Sequence, residues 1–383
     1  MKKIAIPAAV AAVFAASTAH AQSSVTLYGL IDAGLAYTNN VQKGATKGPL
    51  FQATSGEING SRFGVRGSED LGGGLKAIFV LENGFSVTNG KLAQDNRFFG
   101  RQAYVGLASN QFGALTLGRQ YDTLVDFVSP LSGTSGTFGD TGFAHPFDND
   151  NLNHSVRMNN SVKYTSLNYG GFKFGGLYAF SNNTDFSVDR AYSAGASYQF
   201  GGLTAAAGYL QINGSNNTAN TAGAIDLAES QANGTGGFQL GADVQRTFGA
   251  GLNYAFGPAL VGFVYTHSQF QGSQSFGSAN GDVRFDNYEL NGKYALTPAV
   301  SLGVAYTYTD GHVTDSSTFG EDPKWNQVNL QAVYSLSKRT DVYAEGMYQH
   351  VSGHGFVAFI NNSGGASSTN NQVVATVGLR TRF

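Results

Sequence analysis

The chain has 383 residues, 52 of them glycine, 28 phenylalanine and 19 tyrosine, with no cysteine, 13% charged residues and a formal net charge of −2. Near-neutrality excludes the basic footprint of a nucleic-acid binder, and the absence of cysteine excludes a disulfide framework. The aromatic content argues against a disordered glycine-rich chain.

The first 21 residues read as a secretory signal peptide. Lys2 and Lys3 give the positive start, Ile4 to Ala16 the apolar stretch, and Ala19-His20-Ala21 the small-x-small cleavage site. The apolar run is too short to span about 30 Å of hydrocarbon. Cleavage removes two lysines and no acid, so the formal charge moves from −2 to −4 and the mature chain is expected over 22–383, as one domain. No later run of about 18 apolar residues follows, which excludes a helical membrane protein.

A single unit then recurs to the end of the chain: a strand closes on an aromatic, a tight turn follows, and a new alternating strand begins. Its copies are Tyr198 to Leu203, Tyr254 to Leu260, Tyr294 to Val300 and Tyr334 to Thr340, with earlier relatives at Glu69 to Gly74, Asn110 to Gly113 and Tyr169 to Phe172. Glycine and proline supply the turn geometry there. Between these turns lie longer polar segments, at about 39–56, 87–97, 122–156, 182–189, 213–242, 271–283, 311–323 and 352–370, which read as solvated loops. Short and long connections in alternation predict an all-β transmembrane antiparallel barrel of about sixteen strands, with aromatic girdles at both interfaces.

Two strands show the pattern best. In the last, Val373, Ala375, Val377, Leu379 and Thr381 share one face, with Val374, Thr376, Gly378, Arg380 and Arg382 on the other, and Phe383 at the tip. In the sixth, Arg157, Asn159, Ser161, Lys163 and Thr165 share a face opposite Val156, Met158, Val162 and Tyr164. A soluble sandwich points apolar residues inward, and a polar, cationic face of that length is hard to bury. A wide barrel keeps such a face in a water-filled lumen.

No enzyme or cofactor chemistry is visible. His145, His154, His312, His350 and His354 lie in or near predicted loops without metal-ligand spacing. Asp148-Asn149-Asp150-Asn151 lacks the later ligands of a calcium loop, and Gly84 to Lys91 lacks the spacing of a phosphate loop. Rival functions are a barrel hydrolase, which needs a Ser–His or Asp–His pair not seen here, and a channel specific for a sugar or phosphate. Tyr121, Phe127 and Phe138 are too few for a sugar-stacking track.

Val25-Thr-Leu-Tyr-Gly-Leu-Ile-Asp32, Ser61-Arg-Phe-Gly-Val-Arg-Gly67 followed by Glu69-Asp-Leu-Gly72, and Arg101-Gln-Ala-Tyr-Val-Gly-Leu107 stand in the order and spacing of a known family. The chain resembles the trimeric general porins of Gram-negative outer membranes, most of all their neisserial and burkholderial branch. The resemblance implies a homotrimer in the outer membrane, in contact with lipid and lipopolysaccharide, that passes small hydrophilic solutes and ions and needs no cofactor. It also implies that assembly machinery reads the terminal strand through Phe383, and that a third extracellular loop folds into each pore.

The matching loop, 122–156, is roughly 35 residues, well beyond ordinary loop length. By motif, Arg62, Arg101 and Arg157 match the family's wall arginines, and Arg62 shares its face with Gly64 and Arg66. Arg97 shares parity with Arg101 and is expected just above the constriction; Arg66 and Arg119 are further candidates, with a structural pairing to nearby acids as the alternative. Leu30 stands where many relatives place a lysine. The positions of the usual loop acids read Ser132 and Gly136, which leaves Asp122, Asp126 and Asp140 as candidates. An excess of positive charge at the narrowest point favours anions. Strand four is expected to turn Gln102, Tyr104 and Gly106 outward, toward a neighbouring subunit, with loop 87–97 reaching over it.

Overall fold

The computed structural model describes residues 23–135, 138–139, 141–216, 220, 222–225, 240–273, 275–277 and 281–383. The expected signal peptide lies outside them, as does Asp140.

Seventeen β segments among the described residues form one sheet in which β1 (Ser24–Lys43) pairs with β17 (Asn371–Arg382), so the sheet closes on itself. All pairings between neighbours are antiparallel. β2 (Thr46–Ser55) pairs with the upper half of β1 and β3 (Arg62–Gly72) with its lower half, so the two are one strand interrupted at residues 56–61. Counted that way, the seventeen segments make sixteen strands. The interruption is held by Asp32: its Oδ2 accepts from the backbone N–H groups of Ile58 (3.1 Å) and Asn59 (2.9 Å), and its Oδ1 from the Tyr343 hydroxyl (2.5 Å). Backbone donors that lost their ladder partners thereby regain acceptors.

All seven expected short turns join strands here, including β9 (Arg190–Phe200) to β10 (Leu203–Asn213) at Gly201 and Gly202, and β11 (Val244–Phe256) to β12 (Ala259–Ser273) at Gly257 and Pro258. Segment 39–56, expected as a loop, is instead almost all strand, with a turn only at Gly44 and Ala45. Its polar side chains do not mark a loop, because a hairpin that rises into water keeps its backbone ladder while both faces become polar.

Side chains alternate in exposure as a barrel requires. On β15 (Lys324–Ser335), Val328 and Leu330 are exposed, while Gln327, Asn329 and Gln331 are buried on the interior face. β17 follows its expected faces, with Val377 and Leu379 outward and Thr376 and Arg380 inward. Two strands depart from expectation. On β5 (Gln102–Ser109) the outward residues are Val105 and Leu107, which join Phe79, Leu115 and Leu117 in a cross-strand apolar ladder. Gln102, Tyr104 and Gly106 therefore take the interior parity, and the outward polar face expected of them does not exist. The cause is Arg101, which precedes the strand and so does not share its alternation. On β7 (Met158–Thr165) Asn160 has a φ of 52°, and the register to β6 (Gly113–Gln120) shifts beside it. That bulge turns Met158 inward, fully buried beside Leu124, where alternation alone placed it outward.

Candidate functional site

Segment 121–157, between β6 and β7, starts with the helix Thr123–Phe127 and packs against interior residues of distant strands. Leu124, Val128 and Leu131 join Leu177, Leu210 and Val264 in one buried cluster. Polar contacts continue around the wall: Thr123 N–H donates to Ser193 Oγ (3.1 Å), Asn291 Nδ2 to Leu131 O (2.9 Å), and Gln327 Nε2 to Gly142 O (2.8 Å). Asn59 Nδ2, in the break between β2 and β3, donates to Gly139 O (3.0 Å).

One ion cluster fixes this segment to β13 (Gly281–Ala295). Fully buried His145 places Nδ1 2.6 Å from Asp150 Oδ2 and Nε2 3.0 Å from Glu289 Oε2. Ser132 Oγ (2.6 Å) and Gly133 N–H (2.7 Å) also donate to Glu289, and Thr266 Oγ1 (2.6 Å) to Asp150. Burial opposes a charge on the imidazole, but the two carboxylates outweigh it and push His145 up to about 10. It is thus a charged tie at neutral pH. His145, expected in a solvated loop, is instead buried, and its partner Glu289 belongs to no motif of the sequence. The available signal was an acid in phase with Asn287 and Asn291 on a strand whose alternate positions are Tyr288 and Leu290.

Arg101 and Arg157 both contact Tyr121, the residue after β6, and Arg62 lies near enough to act electrostatically on the same group. Arg101 Nη2 donates to the Tyr121 hydroxyl (2.9 Å), and its Nε to Glu82 Oε1 (2.7 Å), which also takes the Tyr28 hydroxyl on Oε2 (2.9 Å). The Arg157 guanidinium lies 5.7 Å from the centre of the Tyr121 ring, and its Nη1 donates to Ser155 O (3.0 Å). His154 stacks on that ring, with centroids 5.2 Å apart and planes 16° apart. Burial first, and then the charges of Arg101, Arg157 and Arg62, hold the His154 imidazole well below its usual range, so it is neutral. A cavity of about 420 Å³ opens beside the group, bordered by Arg101, Arg157 and His154 and, among others, Gln52, Thr54 and Asn362. Among its described lining residues the one acid is Asp95.

The other candidates lie elsewhere. Arg66 is exposed, with its guanidinium 5.3 Å from the Tyr28 ring centre. Arg97 and Arg119 border a different pocket, of about 450 Å³, with Asn159, Asn160 and Asn182. Arg119 shares the parity of outward Leu115 and Leu117, and it donates through Nε to Gly100 O (2.8 Å) and through Nη1 to Asn159 Oδ1. Asp122 caps the helix: Oδ1 accepts from the N–H groups of Leu124 (2.7 Å) and Val125 (3.3 Å), and Oδ2 from Asn151 Nδ2 (2.7 Å). Burial raises its carboxyl to about 6. Asp126 pairs with Lys163 of β7 at 2.8 Å. Leu30 is buried on the interior face of β1, paired with Arg62 and Arg382. Phe383 exchanges backbone hydrogen bonds with Gly29 (3.1 and 3.0 Å) at the closing seam.

A family model described as Gram-negative porin matches residues 8–354. An outer membrane porin protein of Bordetella pertussis is 34% identical, over 91% of this chain and 94% of its own. Outer membrane porin protein 32 of Delftia acidovorans is 32% identical, over 100% of both chains. Among solved structures, the anion-selective porin from Comamonas acidovorans matches with a TM-score of 0.72 at 25% identity, covering 94% of this chain and 100% of that one.

Proposed function

This chain belongs to the Gram-negative porins of the outer membrane, and from that premise we propose that it forms a water-filled channel for small hydrophilic solutes and ions that prefers anions. The observation that carries the preference is the meeting of Arg101 and Arg157 at Tyr121, with Arg62 close enough to act on His154 and with Glu82 as the carboxylate bound to Arg101. Guanidinium groups stay charged at any accessible pH and suit carboxylates and phosphates. Between low-dielectric walls their field concentrates counter-ions. The solved structure named as an anion-selective porin supports the same reading.

In this proposal segment 122–156 narrows the channel, with the arginines on the wall beside it. The protein assembles as a homotrimer after residues 1–21 are removed, meets lipid and lipopolysaccharide with its outward face, and presents a terminal strand ending in Phe383 to the assembly machinery. Reversal potential across a planar bilayer under a salt gradient tests the preference. The expected sign is that of an anion channel, fading at high salt as the Debye length falls from about 8 Å toward 3 Å. Arg62→Ala, Arg101→Ala and Arg157→Ala should each move the potential toward cations. Unchanged selectivity in all three would leave these arginines a purely structural role.

A further inference from the structure

The wall arginines are not independent of one another, because Tyr121 touches more than one of them. Its hydroxyl accepts from Arg101 Nη2 at 2.9 Å, its ring lies under the Arg157 guanidinium, and His154 stacks on the same ring. Its backbone carbonyl is also fixed, accepting from Lys163 Nζ at 3.0 Å, and Lys163 is tied in turn to Asp126. The residue sits where β6 ends and segment 121–157 begins, one position before the helix-capping Asp122, so its backbone is set by both the wall and the capped helix.

Guanidinium side chains are long and rich in rotamers, so a charge aimed at a fixed point needs something to hold it. A phenol offers two holds at once: an oxygen that accepts from one guanidinium and a π face that attracts another. Neither adds charge to the wall.

We propose that Tyr121 is a positioning residue for ion selection: it aims Arg101 and Arg157 at the channel and sets the spacing between them, with His154 stacked against its ring. The inference rests on the anion-channel reading above. Its distinctive consequence is that removing an uncharged side chain changes ion preference.

The test uses the full-length protein reconstituted in planar bilayers, with reversal potential measured for wild type, Tyr121→Phe, Tyr121→Ala, the double variant Arg101→Ala/Arg157→Ala, and that double variant carrying Tyr121→Ala. Tyr121→Ala is expected to lower the anion-to-cation permeability ratio by about twofold or more, because a fixed charge re-aimed away from a narrow pore no longer concentrates counter-ions there. Tyr121→Phe keeps the ring beneath Arg157 and loses only the acceptor for Arg101, so it should fall between wild type and Tyr121→Ala. In the double-arginine background Tyr121→Ala should have no further effect on the ratio. Should Tyr121→Ala change conductance or noise but leave the ratio at wild type, or lower it equally without the two arginines, the positioning role is overturned while the anion reading stands. A wild-type channel without anion preference overturns both.

Discussion

His145 shows how one side chain can bind a long segment to a barrel wall. With carboxylates on both ring nitrogens and no solvent access, the imidazolium is compensated, among the described residues, by Asp150 and Glu289. Breaking a buried pair by removing one partner costs about 3–5 kcal/mol, since the remaining charge is left uncompensated. His145→Ala should therefore free the middle of segment 121–157, seen as increased open-channel noise and faster proteolysis within that segment. The pH dependence follows from the sign of the shift. The folded-state pKa, about 10, lies above the ordinary value of 6.5, so the contribution is complete below about 6.5 and is lost as pH rises through 10. Wild-type noise should stay low through neutral pH and grow toward pH 10; noise that instead rises on going from pH 8 to 6 would contradict the charged tie. Asp126 lies in the helix Thr123–Phe127, facing the wall. Its carboxylate offsets Lys163, so Asp126→Asn should leave a positive charge uncompensated and move the reversal potential further toward anions. A shift toward cations would show that Lys163 does not act on the channel.

Elements that depend on local rules were legible in the sequence, and those that depend on pairing were not. The tight turns are written in glycine and proline, as at Gly201, Gly202, Gly257 and Pro258, because turn geometry is a property of a few adjacent residues. β17 was legible because its alternation is unbroken. β5 was misread by one residue, since a strand's parity depends on where pairing begins, and Arg101 lies just outside it. The Asn160 bulge and the break at residues 56–61 are decided by neighbours remote in sequence, Gly118 and Asp32, and no local pattern announces them. The same division holds for the site. Arg62, Arg101 and Arg157 are legible as short motifs, whereas the Tyr121–His154 stack follows from the pairing of β6 with β7 and the His145–Glu289 tie joins residues that only the folded barrel brings together. Phe147 is another such joint: its ring lies 5.3 Å from Phe276, 5.9 Å from Trp325 and 6.2 Å from Phe359, linking segment 121–157 to two later loops and the wall. Truncation of a packed phenylalanine costs about 3–5 kcal/mol. Phe147→Ala should accordingly raise protease sensitivity at Phe276 and Phe359 as well as at position 147, while the barrel's own heat resistance changes little. Cleavage confined to the neighbourhood of residue 147 would mean that the rings pack without coupling the loops.

At the scale of the molecule, a barrel is stable only when its first and last strands meet, because an open edge in lipid leaves backbone groups without partners. Here nine register pairs between β1 and β17 make that seam, continued by the paired backbone bonds of Gly29 and Phe383. Gly29 is glycine for a spatial reason. A Cβ there would stand 2.5 Å from the backbone oxygen of Arg62 and 2.6 Å from the Phe383 ring. The ring can rotate away, but the oxygen belongs to the β1–β3 ladder and cannot move without disturbing it. Two substitutions at the same seam should therefore differ. Phe383→Ala removes the ring and keeps the backbone bonds, so barrel that has already folded should retain its heat resistance and its compact mobility on an unheated gel. Gly29→Ala pushes β3 from β1 just where Arg62 enters the arginine cluster, so it should lower the melting temperature and weaken ion preference together. The double variant Gly29→Ala/Phe383→Ala separates the two clashes. If the backbone oxygen of Arg62 is the obstacle, removing the ring rescues nothing and the double variant behaves like Gly29→Ala. Full rescue of melting temperature by Phe383→Ala would place the constraint in the aromatic side chain and not in the strand ladder.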